Sequence, residues 1–286
     1  MDRSQTHQQD LETGNDNVDI TEITHISLCS GYGGIDLGLK RVCQNLRTVA
    51  YSEIEAYACE VLLARMESGA LDAAPIWSDL KSFPWAEFSG KVDILSGGYP
   101  CQPFSSAGKR IGKDDPRHLW PWIAKGVRIL KPRVCLFENV EGHITLGLST
   151  VVSDLEEMGY SVSWGIFSAA ECGSPQQRKR VFILAHDKSK RVEWLRASWK
   201  QESSAYEQKE VSLCSSTRTD WSDGTTEPIL VRMADGGSSW VDRMRLLGNS
   251  VVPACAELAF KTLLKNTLNE KRNNDSESGN VCPADH

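Results

Sequence analysis

Short apolar runs alternate with amphipathic stretches through the first 187 of the 286 residues. THISLCS (24–30), LRTVAYSE (46–53), KVDILSGG (91–98) and RVCLFENV (133–140) are brief and aliphatic, and each predicts a strand. Between them IDLGLKRVCQNL (35–46), EAYACEVLLARMESG (55–69), WPWIAKGVRILK (120–131) and LSTVVSDLEEMGY (148–160) predict helices, with stop signals at Gly69, Pro132 and Gly159. PIWSDL (75–80) reads as a short strand or loop, and SVSWGIFSA and RKRVFILAHD complete the series. This alternation predicts an α/β fold, a doubly wound, mostly parallel sheet with helices on both faces. Right-handed crossovers would then place all strand C-termini on one edge, where such sheets bind ligands. SGYGG (30–34), the loop after KVDILSGG and the ENV of FENV all follow strands, so all three converge on that edge.

The pattern fails in three places. Residues 1–22 have no hydrophobic periodicity and read as a disordered leader. Residues 187–240 are polar, rich in Ser, Thr, Lys and Glu, with isolated tryptophans, and read as a small irregular module. Regular structure resumes at 241, and PACAELAFKTLLKNTL predicts an amphipathic helix opened by Pro253, with a frayed tail over 269–286.

Charge changes the picture only once it is divided along the chain. The formal net charge is −6, but residues 1–22 carry six acids against Arg3, and 270–286 carry four acids against two bases. The body is left near neutral with local basic clusters, so an anionic partner such as nucleic acid is not excluded. The nine cysteines form no CxxC and no metal-ligand spacing, so neither a metal site nor a disulfide framework is expected. The N-terminus has no apolar signal region, and no apolar run approaches the ~18 residues that span a bilayer. A soluble cytoplasmic protein without a membrane partner is the expectation.

Four stretches carry candidate chemistry. The glycine turn at 31–34 lies between a strand and a helix, but it is neither GxGxxG nor a P-loop, and alone it could be only a tight turn. Glu53 ends the second strand 22 positions after Gly31, where an acid can accept both hydroxyls of a ribose, and together they suggest a nucleoside-bearing ligand. In SGGYPCQPFS (96–105), Cys101 stands between Pro100 and Pro103. A loop cysteine is more often inert than reactive, but fixed φ on both flanks suits a presented nucleophile, even with no adjacent histidine. Glu138, at the end of an apolar strand, suits either an N-cap or catalysis. Gln176, Arg178 and Arg180 alternate on entering a strand, as a solvated basic edge or as contacts to phosphate or a pyrimidine carbonyl.

In order, SGYGG, PCQPFS, ENV, QxRxR and LGNSVVP resemble the motif series of the DNA (cytosine-5) methyltransferases, over about 26–186 and 243–264. The resemblance implies a Rossmann-like fold, S-adenosylmethionine as cofactor and double-stranded DNA as partner, in a monomer in the cytoplasm of a bacterial or phage-infected cell. It implies that Cys101 attacks C6 of a flipped-out cytosine, with Glu138 at N3 and the exocyclic amine. Arg180 would contact O2 of the base, and Arg178 would position the loop and DNA backbone. The cofactor would lie over Gly31, Gly33 and Gly34, with Glu53 on the ribose and Asp79 near the adenine amine. Pro100 would line the junction with the cytosine, and Asn249 would close the methionine side. Residues 23–186 would form the catalytic and cofactor-binding domain, 187–240 a short target-recognition region, and 241–268 the part completing the domain. Cys29 and Ile54 stand where the family often has aromatic residues. A tRNA cytosine-5 methyltransferase and a non-catalytic DNA-binding relative are the alternatives.

Overall fold

The computed structural model describes residues 22–100, 119–174, 177–190, 242, 246 and 248–278, with side chains to 267. Cys101, Gln176, nearly all of the leader and most of 187–240 lie outside the described residues.

Among the described residues seven strands form one sheet: β1 (Ile23–Leu28), β2 (Leu46–Ser52), β3 (Ile76–Trp77), β4 (Ile94–Gly98), β5 (Val134–Val140), β6 (Tyr160–Ser168) and β7 (Lys179–Asp187). Their order is β3-β2-β1-β4-β5-β7-β6. The chain winds outward from β1 to β3, then returns to lay β4 on the other side of β1, so the strand order reverses between β1 and β4. That switch point opens a crevice at the strand ends.

The expectation that all strand C-termini share one edge needs correcting at β7. It runs antiparallel to both β5 and β6, because a hairpin of consecutive strands needs no crossover helix. Its N-terminal end therefore reaches the crevice, which is how residues that enter a strand come to face residues that leave others.

Helices α1 (Gly34–Val42), α2 (Ala56–Glu67), α3 (Trp120–Leu130), α4 (His143–Leu146), α5 (Leu148–Glu157) and α6 (Pro253–Ser278) join or follow the strands. In α6 the buried positions Cys255, Ala256, Ala259, Phe260, Leu263 and Leu264 recur at helical spacing and pack with α1 against one sheet face. In α3, Trp120, Ile123, Ala124, Val127 and Leu130 do the same on the other face, beside Leu148, Val151 and Leu155 of α5. The sequence expected a frayed tail from 269, but α6 continues to Ser278. Once the packed turns are nucleated, adding polar helix formers such as Glu270, Lys271 and Arg272 requires no new nucleus.

Polar groups pin β1 between its two neighbours. His25 of β1 is fully buried, with Nδ1 2.9 Å from Thr48 Oγ1 on β2 and Nε2 2.8 Å from Ser96 Oγ on β4. Burial pushes its ring down to about 3, so it is neutral. Ser27 Oγ donates to Asp36 Oδ2 at 2.9 Å, tying the first turn of α1 back to β1. No helix among the described residues is long and apolar enough to cross a membrane.

Candidate active site

A cleft of about 820 Å³ opens at the switch point, and Gly31, Glu53, Asp79, Pro100, Glu138, Arg180 and Asn249 all line it. Six of them come from different strand ends or the segments that follow, and Asn249 from the stretch before α6, so the fold gathers residues up to 218 positions apart in the chain (Gly31 to Asn249).

On one side, Gly31 and Gly33 adopt left-handed φ of 56° and 83°, a region that favours glycine. Glu53 stabilises the turn: its Oε2 accepts the Gly31 N–H at 2.7 Å and its Oε1 accepts the Glu55 N–H at 2.9 Å. A carboxylate has about four acceptor positions, so two remain for hydroxyl donors. Gly34 faces inward instead, and a Cβ there would stand 2.1 Å from the Val251 carbonyl oxygen. Asp79 caps the following 3₁₀ turn through Lys81 N–H at 2.9 Å. Ile54 is 74% exposed beside these groups, an apolar platform suited to a flat ring. Two free acceptor positions on a buried acid, an apolar platform and a turn open to close approach fit the ribose and base of a nucleoside. Cys29, also on the cleft wall, is held at φ 48°, and burial followed by the Glu53 charge pushes its thiol up to about 12. It is therefore an inert thiol.

On the other side, the sheet register builds an ion pair. Val140 is opposite Arg180 across β5 and β7, and Gly98 is opposite Glu138 across β4 and β5. Alternation then puts Glu138 and Arg180 on the same face as diagonal neighbours. Arg180 Nε donates to Glu138 Oε1 at 2.9 Å. Burial outweighs that attraction and pushes the Glu138 carboxyl from 4.5 up to about 7, with Arg180 and Arg178 pulling the other way. The N-cap reading of Glu138 is not realised, because its carboxylate pairs with Arg180 rather than with a helix start.

Arg178 sits farther back. It donates to the Ser250 carbonyl, while the Tyr32 hydroxyl donates to the neighbouring Val251 carbonyl. Two donors from distant segments thus hold the stretch that carries Asn249. The buried Nε of Arg178 has no partner among the described residues. Sequence reasoning missed Tyr32, although it lies inside SGYGG, and Arg65, whose guanidinium stands 4.7 Å over the Tyr32 ring. It also missed Asn139. Alternation along β5 turns Asn139 to the opposite face from Glu138, where its Nδ2 donates to the Tyr99 carbonyl at 3.1 Å. Pro100, the last described residue before Cys101, lines the cleft. Among the described residues no cluster of His, Cys, Asp or Glu could hold a metal ion.

A family model described as C-5 cytosine-specific DNA methylase matches residues 23–240. The Type II methyltransferase M.NgoMIV of Neisseria gonorrhoeae is 34% identical over 169 residues, 57% of this chain and 52% of that protein. M.NgoBV of the same species is 36% identical over 185 residues, 59% and 42% respectively. The chain therefore spans about half the length of the curated relatives it matches. Among solved structures, the Dnmt2 methyltransferase of S. pombe aligns with a TM-score of 0.50 at 23% identity over 59% of this chain and 52% of that one, a likeness of fold.

Proposed function

The chain belongs to the C-5 cytosine-specific DNA methylase family, and from that premise we propose that it methylates C5 of a cytosine flipped out of duplex DNA, using S-adenosylmethionine and a covalent adduct on Cys101. The observation that carries this reading is the buried Glu138, held at about 7 beside Arg180. An ordinary carboxyl is ionised at neutral pH and has no proton to give. One near 7 is protonated about half the time, so it can donate to a ring nitrogen and take the proton back.

Cytosine is a poor nucleophile at C5, and this chain's residues would change that. The Cys101 sulfur forms a bond to C6 as the C5–C6 double bond breaks, while N3 accepts the Glu138 proton, which leaves C5 electron-rich. Arg180 would contact O2 of the base while keeping its ion pair with Glu138. When bound, S-adenosylmethionine supplies an electrophilic methyl group. Glu53 would hold its ribose, Asp79 its adenine amine, Gly31 its approach over the turn, and Asn249 its methionine side. Once C5 has taken the methyl group and S-adenosylhomocysteine is left, the C5 proton would pass to solvent, its electron pair would re-form the C5–C6 double bond and expel the Cys101 thiolate, and N3 would return its proton to Glu138.

The adduct gives the test. Duplex DNA with 5-fluorocytosine has no C5 proton to lose, so the adduct should accumulate and appear as a mass increase on Cys101. Wild-type protein that forms no adduct with any such duplex, with cofactor saturating, would refute the proposal.

A further inference from the structure

Two thiols from distant parts of the chain meet where the start of α6 lies against the sheet. Cys172 closes the 3₁₀ turn Ala169–Cys172 that follows β6, and Cys255 lies in the first turn of α6. They stand 83 positions apart in the chain (Cys172 to Cys255). The 3₁₀ turn nevertheless packs on α6, and Cys172 joins the apolar cluster to which Cys255 belongs. A capping box fixes the turn: Ser168 Oγ accepts the Glu171 N–H at 3.3 Å, and the Ser168 N–H donates to Glu171 Oε2 at 2.9 Å. The Cys255 N–H is held by the Val252 carbonyl at 3.0 Å. Both side chains are free thiols, Cys172 half-buried and Cys255 2% exposed, and the Cys255 thiol donates a hydrogen bond to the Cys172 sulfur.

The surroundings divide the cysteines. Burial pushes Cys29 and Cys43 up to about 12 and raises Cys59 and Cys135 as well. Among the described cysteines Cys172 alone goes the other way. The hydrogen bond from Cys255 pulls it below the usual thiol range, against burial and the charges of Glu171 and Glu257. The same bond, together with burial, keeps the proton on Cys255. A partly exposed sulfur with thiolate character is open to attack on an oxidant. A protonated thiol stands behind it, in contact.

We propose that Cys172 and Cys255 form an oxidisable dithiol, with Cys172 the attacking sulfur and Cys255 the resolving one. With hydrogen peroxide as oxidant, the Cys172 thiolate attacks one peroxide oxygen and the O–O bond breaks. Hydroxide leaves, takes a proton from solvent as water, and a sulfenic acid remains on Cys172. The Cys255 sulfur then attacks the Cys172 sulfur. The S–S bond forms, the S–O bond breaks, and the departing hydroxide takes the Cys255 proton as a second water. The two thiols give up two electrons and two protons, and the peroxide is reduced to water. The new bond would join the turn after β6 to the start of α6, near the Ser250 carbonyl that Arg178 already holds. This chemistry is independent of methyl transfer.

The test treats the intact protein with roughly equimolar hydrogen peroxide, quenches with N-ethylmaleimide, and maps unreduced peptides by mass spectrometry. The expected product is a link between the peptides carrying Cys172 and Cys255, two hydrogens lighter than the reduced pair and reopened by dithiothreitol. Cys172 should lose its free thiol at least about tenfold faster than Cys29, Cys43 or Cys135. Urea should abolish that preference, because only the fold brings the pair together. In Cys255→Ala the Cys172 thiol should react more slowly, for want of its donor, and stop at a sulfenic acid that dimedone traps. In Cys172→Ser, Cys255 should stay reduced. Wild-type Cys172 that stops at the sulfenic or sulfinic acid would overturn the proposal. So would a link from Cys172 to Cys101, Cys214 or Cys282 in place of Cys255, or a wild-type rate of Cys172 loss in Cys255→Ala.

Discussion

Replacing Glu138 by glutamine tests the electrostatics of the site through stability alone. Because burial raises the Glu138 carboxyl from 4.5 to about 7, the folded state holds its proton over a range where the unfolded state releases it. The favourable protonated state is fully retained below pH 4.5 and lost as pH rises through 7, so the wild-type protein becomes less stable across that window. Between pH 5 and pH 8 the two titration curves imply a loss of about 2.5 kcal/mol from this one group. Glutamine does not titrate. It does leave Arg180 without its carboxylate partner, but Arg180 stays charged at both pH values, so that penalty cancels when the two pH values are compared. Other titrating groups are common to both proteins and cancel as well. Urea unfolding of wild type and Glu138→Gln at pH 5 and pH 8 gives the double difference directly, and it should move by about 2–3 kcal/mol in favour of the variant at the higher pH. A difference constant to within about 0.5 kcal/mol would refute the raised carboxyl, and with it the proton donor on which the proposed chemistry depends.

Three further outcomes follow from the same geometry. Cys101→Ala should abolish the adduct with 5-fluorocytosine DNA while leaving cofactor binding by calorimetry unchanged; an adduct that persists would move the nucleophile elsewhere. Glu53→Gln keeps one acceptor oxygen and loses the other with its charge, so calorimetric affinity for S-adenosylmethionine should fall by roughly tenfold or more. Tyr32→Phe deletes the donor to the Val251 carbonyl and should lower unfolding free energy by about 1–3 kcal/mol, measured in urea, with the larger values expected because the orphaned carbonyl is buried.

Much of the fold was legible because strand and helix periods are local. The strands of β1, β2, β4 and β5 and the glycine stops after α2 and α5 stand where the apolar pattern puts them. The orientation of β7 was not legible, since the same alternation of residues serves a parallel or an antiparallel neighbour. The extent of α6 was missed because polar residues past 268 resemble a tail until the helix before them is packed. Of the candidate residues, Gly31, Glu53, Asp79, Pro100, Glu138, Arg180 and Asn249 are brought together around one cleft. Partnerships were harder to read than positions. Nothing local in QQRKR says that Arg180 grips Glu138 while Arg178 reaches Ser250, because register and a distant segment decide it. The tyrosine in SGGYPC likewise looks like a spacer until His143, 44 positions later, meets its hydroxyl.

The central claim is methyl transfer to cytosine in DNA, and tritium reports it most directly. The protein would be incubated with tritiated S-adenosylmethionine and, in separate reactions, mixed-sequence duplex DNA and tRNA, followed by digestion to nucleosides. Label in 5-methyldeoxycytidine from the duplex, absent with Cys101→Ala, is the predicted result. Label confined to 5-methylcytidine from tRNA, or to neither substrate at saturating cofactor, would contradict the account.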